Sequence, residues 1–507
     1  MKIFHHLLNN NKLISKYLYF LITIFYIIYC FKLSSYEIIF MDERLLIDDI
    51  YNVWLLDDSF GRFRNIENNL VKSSLIVITE FAYGGDLRYG RLWSNIFTIL
   101  IGLFTIISDQ VVIIASRLLN LFILNLSFYL LSKTFISKKY LWISMLSFLS
   151  LPGIELLIRI PKPDVLGFLF ISIGLIEYKN NKYFKSILYF SIASFLKINF
   201  ILIFVIFILK MFQQTKKRIV FIFKGFGLSL FSLYMVNPIL IIPPINLFGI
   251  EFPNFYLKYY EWVLSQGSFG QDEVFSFQYF IKWLETINTF YLLPKSIHTL
   301  ASFVFVFLLT LLSVQIYRSG TSYSRMFILV FTVYMLFYMF FIERQFSWYI
   351  TTPFIFLSLT LLINLDSERF LLKKFSILFI LLLIIGNFSN IYSHHENKLF
   401  SANYKLGYTQ ITNEKEAIFL VDNVLNSIEE LYLENESLDK NVVLWNPNLF
   451  IPRNKVTYFS NFFVREYWGP DDLNLILSEA DIFVTNEPIS SSGFKQLKVN
   501  NYYLFYK

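Results

Sequence analysis

Asp42 and Glu43 stand side by side, a few residues past the first long apolar run of the chain. A carboxylate pair at a membrane face can take a proton from a hydroxyl or hold a divalent cation, and such groups are costly to keep there without a use. Further acids follow at Asp48, Asp49, Asp57 and Asp58. As plain structure, Asp42 is a helix N-cap and the later four are a solvated face. As chemistry, oxygen-only acidic ligands suit Mg2+ or Mn2+.

A second cluster is Arg159-Ile160-Pro161-Lys162-Pro163-Asp164, between two apolar runs. Its two prolines stop helix formation and make a tight turn. The bland reading is a connector whose Asp164 caps the next helix; the sharper one is a charged site at the outer membrane face. A third set is cationic. It comprises Lys197 in a break between two apolar runs, Arg344 in Glu343-Arg344-Gln345, and Arg88 and Arg91 in Gly84-Gly85-Asp86-Leu87-Arg88-Tyr89-Gly90-Arg91. Such groups suit a phosphate held at the membrane surface. Arg88 and Arg91 serve equally well as headgroup anchors. Elsewhere His298 reads as an interfacial histidine, and His394 and His395 are adjacent, which is not metal-ligand spacing. There is no Walker loop, dinucleotide fingerprint or Gly-x-Ser-x-Gly motif.

The elements that must position these residues are apolar. Of 507 residues, 56% are hydrophobic and only 16% charged, with 59 Phe and 33 Tyr, a membrane composition. The net charge of +7 sits mainly in short loops between apolar runs, which argues for membrane topology and against a nucleic-acid footprint. One cysteine, Cys30, excludes any disulfide within the chain. Apolar runs at 17–33, 111–131, 140–158, 164–178, 184–196, 198–212, 219–242, 296–316, 326–342, 349–364 and 372–390 predict about eleven spanning helices. The basic N-terminus and first run lack a small-residue cleavage site and read as a retained anchor.

A further stretch, 92–107, is settled by charge. If it does not cross, segments 1–16, 132–139, 178–185, 213–218, 317–325 and 365–374 share one side and hold 17 Lys and Arg. The short opposite segments hold 4. That positive-inside bias predicts a juxtamembrane or re-entrant 92–107, a cytoplasmic N-terminus and an outer C-terminus. Segments 34–110, 243–295 and 391–507 then lie outside. In the first, Leu46, Ile50, Val53 and Trp54 recur at helical spacing with Asp42, Asp49 and Asn52 largely off the stripe, as in an interfacial amphipathic helix. The tail has strand-like runs at 441–445, 455–459, 481–485 and 502–506, with helical pattern at 414–433 and 472–480, so a small α/β domain is expected. The expected organisation is a membrane domain over 1–390 and this outer domain over 391–507.

Taken in order, these pieces resemble the GT-C glycosyltransferases, polytopic enzymes that use polyprenyl-phosphate sugars, and look closest to the branch holding bacterial aminoarabinose transferase and the protein O-mannosyltransferases. Asp42-Glu43 sits where that family has its Asp-Glu pair. Ser116-Arg117-Leu118-Leu119-Asn120 runs into a span that ends at Lys138-Lys139. Arg159 to Asp164 is similar to the family's Arg-x-x-x-x-Asp turn, and Arg344-Gln345-Phe346-Ser347-Trp348-Tyr349 before Pro353 echoes a late Arg-Tyr-x-x-Pro pattern. The likeness covers 17–213 well and the rest loosely. It departs where the family's Pro-Pro pair gives way to Arg88-Tyr89-Gly90-Arg91-Leu92.

The resemblance implies an inverting transfer of a sugar from a polyprenyl phosphate to a hydroxyl of a glycan, lipid or protein, at the outer face of a bacterial inner membrane. It implies Asp42 as base, and Glu43 or Asp164 orienting the acceptor or, with Asp42, holding a Mg2+ or Mn2+ ion. Lys197, Arg344 and Arg159 would face the leaving phosphate, with Lys162, Arg88 and Arg91 as further phosphate contacts. Two rivals share the features. A lipid-linked polysaccharide polymerase or ligase would carry its key arginines in outer loops without the acid pair. A lipid or solute transporter would show inverted repeats and mid-span charges.

Overall fold

The computed structural model describes residues 15, 17–24, 28, 41–55, 69–74, 77, 91–151, 153–237, 246–247, 250–251, 298–341, 347–397, 405–406, 409–410, 423–424, 426–428, 430–431, 441–445, 463–467, 481–485, 494–499 and 502–506. They are mostly helical and divide between two compact units. One comprises Met1–Ser34, Asp86–Ile96 and Arg117–His394; the other comprises Ser35–Gly85, Phe97–Ser116 and His395–Lys507.

The first unit is built from apolar helices. Among the described residues of both units, the helices in chain order are α1 (Met41–Trp54), which belongs to the second unit, α2 (Arg91–Ile101) and α3 (Asp109–Phe135), each divided between the units, and α4 (Leu141–Leu149), α5 (Ile154–Arg159), α6 (Pro163–Lys179), α7 (Tyr183–Leu196), α8 (Ile201–Gln214), α9 (Arg218–Val236), α10 (His298–Ser319), α11 (Ser322–Phe341), α12 (Ser347–Ile363) and α13 (Phe370–Asn397). Among the described residues, three stretches are long and apolar enough to cross a membrane: Gln110–Phe135, Arg218–Val236 and Ser322–Phe340. Helices α7 and α8 fall short because Lys197 interrupts an apolar region that would otherwise run on, as its break in the sequence predicts. The run 140–158, expected as one span, is two helices. Gly153 sits between them at φ 75°, a left-handed conformation that glycine adopts without cost and that ends a helix.

Hydrogen bonds fix how these helices run. Tyr183, at the start of α7, meets Gln214, at the end of α8, through its hydroxyl at 3.0 Å, so the two are antiparallel. Phe184 faces Phe221 and Ser191 faces Ser229, so α9 runs parallel to α7. Asn120 reaches residues 157–162, and Lys179 donates to the carbonyl of Thr134, so α3 runs parallel to α6. Lys179, Lys182, Lys185, Lys216, Lys217 and Arg218 therefore gather at one end of this helix group, and Asp164 and Lys197 lie at the other. Lys139 pairs with Asp366 at 2.9 Å, and that hydrogen bond pushes the Lys139 ammonium above its usual pKa. Ser147 and Ser358 join α4 to α12 at 3.1 Å.

In the second unit, α1 forms as its pattern predicts, but with a different face inward. Glu43, Leu46, Ile47, Ile50 and Tyr51 are buried, a stripe at i, i+3, i+4, i+7 and i+8, and Asp49 is buried too. Trp54 lies at its edge and donates from its indole to the carbonyl of Thr98 at 2.8 Å. Gly102, where α2 tightens into a 3-10 turn, gives that indole its room: a Cβ there would lie 1.6 Å from Nε1. Gly102→Val should push the indole out, break its hydrogen bond and lower stability by about 1–3 kcal/mol in a thermal melt of the purified protein. Gly227→Ala, in open space on α9, should leave the melt unchanged or raise it.

The tail carries a five-stranded sheet. Its strands are β1 (Asn441–Trp445), β2 (Phe463–Tyr467), β3 (Ile482–Thr485), β4 (Lys495–Val499) and β5 (Tyr502–Tyr506), in the order β2-β1-β3-β5-β4. Strand β1 is parallel to both β2 and β3, whereas β5 is antiparallel to β3 and β4. Central β3 is buried throughout, and edge strand β4 turns Lys495 and Lys498 outward over Tyr506 and Tyr503. The expected strands at 441–445, 481–485 and 502–506 are present. Those at 463–467 and 495–499 were not anticipated, and the expected strand at 455–459 and helix at 472–480 lie outside the described residues.

Candidate functional site

The first unit places a polar site at the Lys197 end of its helices. It starts with the Pro-Lys-Pro turn. Lys162 is the N-cap residue of α6 in extended conformation, Pro163 occupies the first helical turn and Asp164 follows. Proline suits that position because its missing N–H has no partner there in any helix. Asp164 does not cap the helix, as the bland reading expects. Its carboxylate instead lies in the first turn, where the helix dipole favours an anion, and makes a side-chain ion pair.

The partner is Lys197, at 2.5 Å. Lys197 is the C-cap of α7, where the dipole favours a cation, and its extended backbone separates α7 from the 3-10 turn Ile198–Phe200. The α6–α7 hairpin thus brings a negative helix start and a positive helix end together. Asp164 is 1% exposed and Lys197 6%. A buried pair of this kind costs desolvation and stands only while both members are present.

Asn120 of α3 holds the turn in place. Its amide donates to the carbonyls of Leu157, at 2.6 Å, and Ile160, at 3.3 Å, and its oxygen accepts the Lys162 N–H at 3.4 Å. These are backbone groups that two prolines leave without helical partners. One turn earlier on the same helix, Arg117 is also buried. Below the pair, Tyr334 of α11 donates to the Asn199 carbonyl at 2.5 Å, fixing the segment after Lys197. Asn237 ends α9 at this same end of the group and accepts the backbone N–H of Arg91 at 3.3 Å.

Among the described side chains of this unit, the buried charged residues are Arg91, Arg117, Lys162, Lys197 and Asp164. None of the four cations lacks a partner. Cations held at helix ends in an apolar surround suit an anion with several acceptor oxygens.

Of the predicted site residues, Asp164 and Lys197 come together and Lys162 lies on the same turn. Arg91 is buried at the same end of the helices. Arg159 ends α5, though its side chain lies outside the described residues, as do Arg88 and Arg344 altogether. Asp42 lies in the first turn of α1 with its side chain also outside them, and Glu43 is on the buried stripe of the second unit. Asn120 and Arg117 carry parts of the site that residue types alone did not flag. Their signal is of another kind: polar groups at i and i+3 on one face of an otherwise apolar helix.

Of the residues expected to hold a divalent cation, Asp164 is already paired and the Asp42 side chain lies outside the described residues. No group of three His, Cys, Asp or Glu gathers among the described residues. No protein-family model, curated protein or solved structure matches this chain.

Proposed function

We propose that this protein is an integral membrane glycosyltransferase that moves a sugar from a polyprenyl phosphate to an acceptor hydroxyl at the extracytoplasmic face, with inversion, on a GT-C-like bundle of about eleven spans. The observation that carries the reading is the buried Lys197–Asp164 pair, with buried Lys162 on the same turn as Asp164, at the Lys197 end of the helices and opposite the basic loops. By the positive-inside bias those loops are cytoplasmic, so the site belongs to the outer leaflet. A lipid phosphate is the anion that a site at that depth meets.

The step is a single displacement at the anomeric carbon. The acceptor oxygen forms its bond to that carbon as the carbon–phosphate oxygen bond breaks. The electron pair leaves with the polyprenyl phosphate, and the hydroxyl proton passes to Asp42. On the resemblance to the GT-C enzymes, Glu43 or Asp164 orients the acceptor. Lys197, held in place by Asp164, and Lys162 face the developing phosphate charge, together with Arg159 and Arg344.

The test is transfer from a panel of labelled polyprenyl-phosphate sugars in membranes. Wild type should transfer one of them, and Asp42→Asn at equal expression should lose about 10²–10⁴ in rate. Transfer that survives keeps the class and moves the base to Glu43 or Asp164. No transfer from any donor, alongside joining of lipid-linked oligosaccharides or movement of a solute, sinks the proposal in favour of a polymerase, ligase or transporter.

A further inference from the structure

At the opposite, basic end of the same helices, Lys224 occupies a position that membrane topology does not require. It lies inside α9, six residues past Arg218, or about 9 Å along the axis. Only 22% of that helix is buried, and Ile219, Ile222, Phe223 and Phe226 are all exposed, so the surround of α9 is hydrocarbon. Loops, not lipid-facing helices, are where a positive-inside rule puts lysines. An ammonium at this depth must reach the interface. Helical side chains lean towards the helix N-terminus, which here is the Lys216-Lys217-Arg218 end.

What waits there is an aromatic row with a cation at each end. Lys224 Nζ lies 5.5 Å from the ring centre of Phe184 on α7. Phe184 is 6.0 Å from Phe221, and Phe221 is 6.2 Å from Phe212. The Arg218 guanidinium lies 5.4 Å from Phe212. Charge around the row is one-sided. Between 177 and 224, leaving aside Lys197 at the far end, the sequence has eight Lys and Arg and one acid, Glu177. That acid lies 3.8 Å from Lys182.

We infer that Arg218 and Lys224, flanking the Phe184–Phe221–Phe212 row, form a binding site for the headgroup of an anionic phospholipid in the leaflet at that end. The phosphodiester takes charge-assisted hydrogen bonds from one of the cations while the other adds its field from across the row, and the accessible edges of Phe184 and Phe212 pack against the glycerol and upper acyl chain, with buried Phe221 holding the row together. A zwitterionic headgroup brings its own cation into the same positive field and is disfavoured. This inference stands apart from the sugar-transfer reading, because it uses none of the same residues.

The test is native mass spectrometry of the full chain reconstituted with mixed phosphatidylcholine and phosphatidylglycerol. Wild type should retain phosphatidylglycerol in clear excess over its share. Arg218→Gln/Lys224→Gln should cut that retention about tenfold or more, and Arg218→Lys/Lys224→Arg should keep it. Lys373→Gln/Lys374→Gln, which removes equal charge from the start of α13, should also keep it. Equal loss in both glutamine pairs would show a diffuse field and overturn the site. So would the absence of enrichment in wild type, a readout that needs no variant to fold. Displacement of phosphatidylglycerol by inorganic phosphate would make the ligand a free anion and overturn the phospholipid assignment.

Discussion

Asp164→Asn and Lys197→Met should each destabilise the protein by about 3–5 kcal/mol, because each leaves one charge buried without its counter-charge. The geometry sets that size. The two groups meet at 2.5 Å with side chains 2% and 7% exposed, and each sits on the helix end whose dipole favours it. The double variant Asp164→Asn/Lys197→Met should recover most of the loss, since two neutral groups of similar volume no longer carry a desolvation cost. A double-mutant cycle on thermal or denaturant unfolding of the full chain measures the coupling. Single losses under about 1 kcal/mol would mean that water screens the pair as it does on a surface.

The same variants separate structure from chemistry. If the pair only holds α6 to α7, the refolded double variant should transfer sugar as wild type does. If Lys197 faces the leaving phosphate, the double variant should be folded yet about 10²–10³ slower. Stability restored with activity still lost is the outcome that the proposed function requires.

How far the sequence led can be judged residue by residue. Lys197 was legible because a lysine among apolar residues has to be accommodated by some break, and the chain breaks there. The Pro-Lys-Pro turn was legible because proline dictates its own backbone. Its ion partner was not, since nothing local links Asp164 to a lysine 33 residues on. The inward face of α1 was illegible for a different reason. A stripe counted in apolar residues alone begins at Leu46 and ends at Trp54, whereas packing extends it back one turn to an acid and stops it short at Tyr51. The run 140–158 reads as one span by hydropathy, which is blind to the left-handed residue at Gly153. In the tail, β1, β3 and β5 announce themselves as apolar runs, but β4 is an exposed edge strand whose lysines face outward and whose pattern mimics a loop. The spacing of the acid pair and cations gave a list of candidates. Which of them share a site depended on the hairpin of α6 and α7 and on helix direction, both set by long-range packing.

Asn120 is where that long-range packing is most exposed to a single change. Its side chain satisfies two carbonyls and one N–H of a turn 37 to 42 residues away. Asn120→Leu keeps the volume roughly and removes all three partners. Each buried backbone group left unpaired costs about 1–3 kcal/mol, so a total loss of about 3 kcal/mol or more is expected in thermal unfolding. Asn120→Asp should be no better. It keeps an acceptor for the Lys162 N–H but sets a carboxylate against the carbonyl oxygens of Leu157 and Ile160 and brings a new charge beside Asp164. Asn120→Gln, which keeps donor and acceptor on a longer stem, should lie between these and wild type. Because the clamp fixes the turn that bears Lys162 and Asp164, sugar transfer should fall in the same order as stability, with no change of donor preference. If Asn120→Leu melts like wild type, solvent or a shifted neighbour already satisfies the turn. Asp164 and Lys197 would then owe their meeting to the α6–α7 hairpin alone.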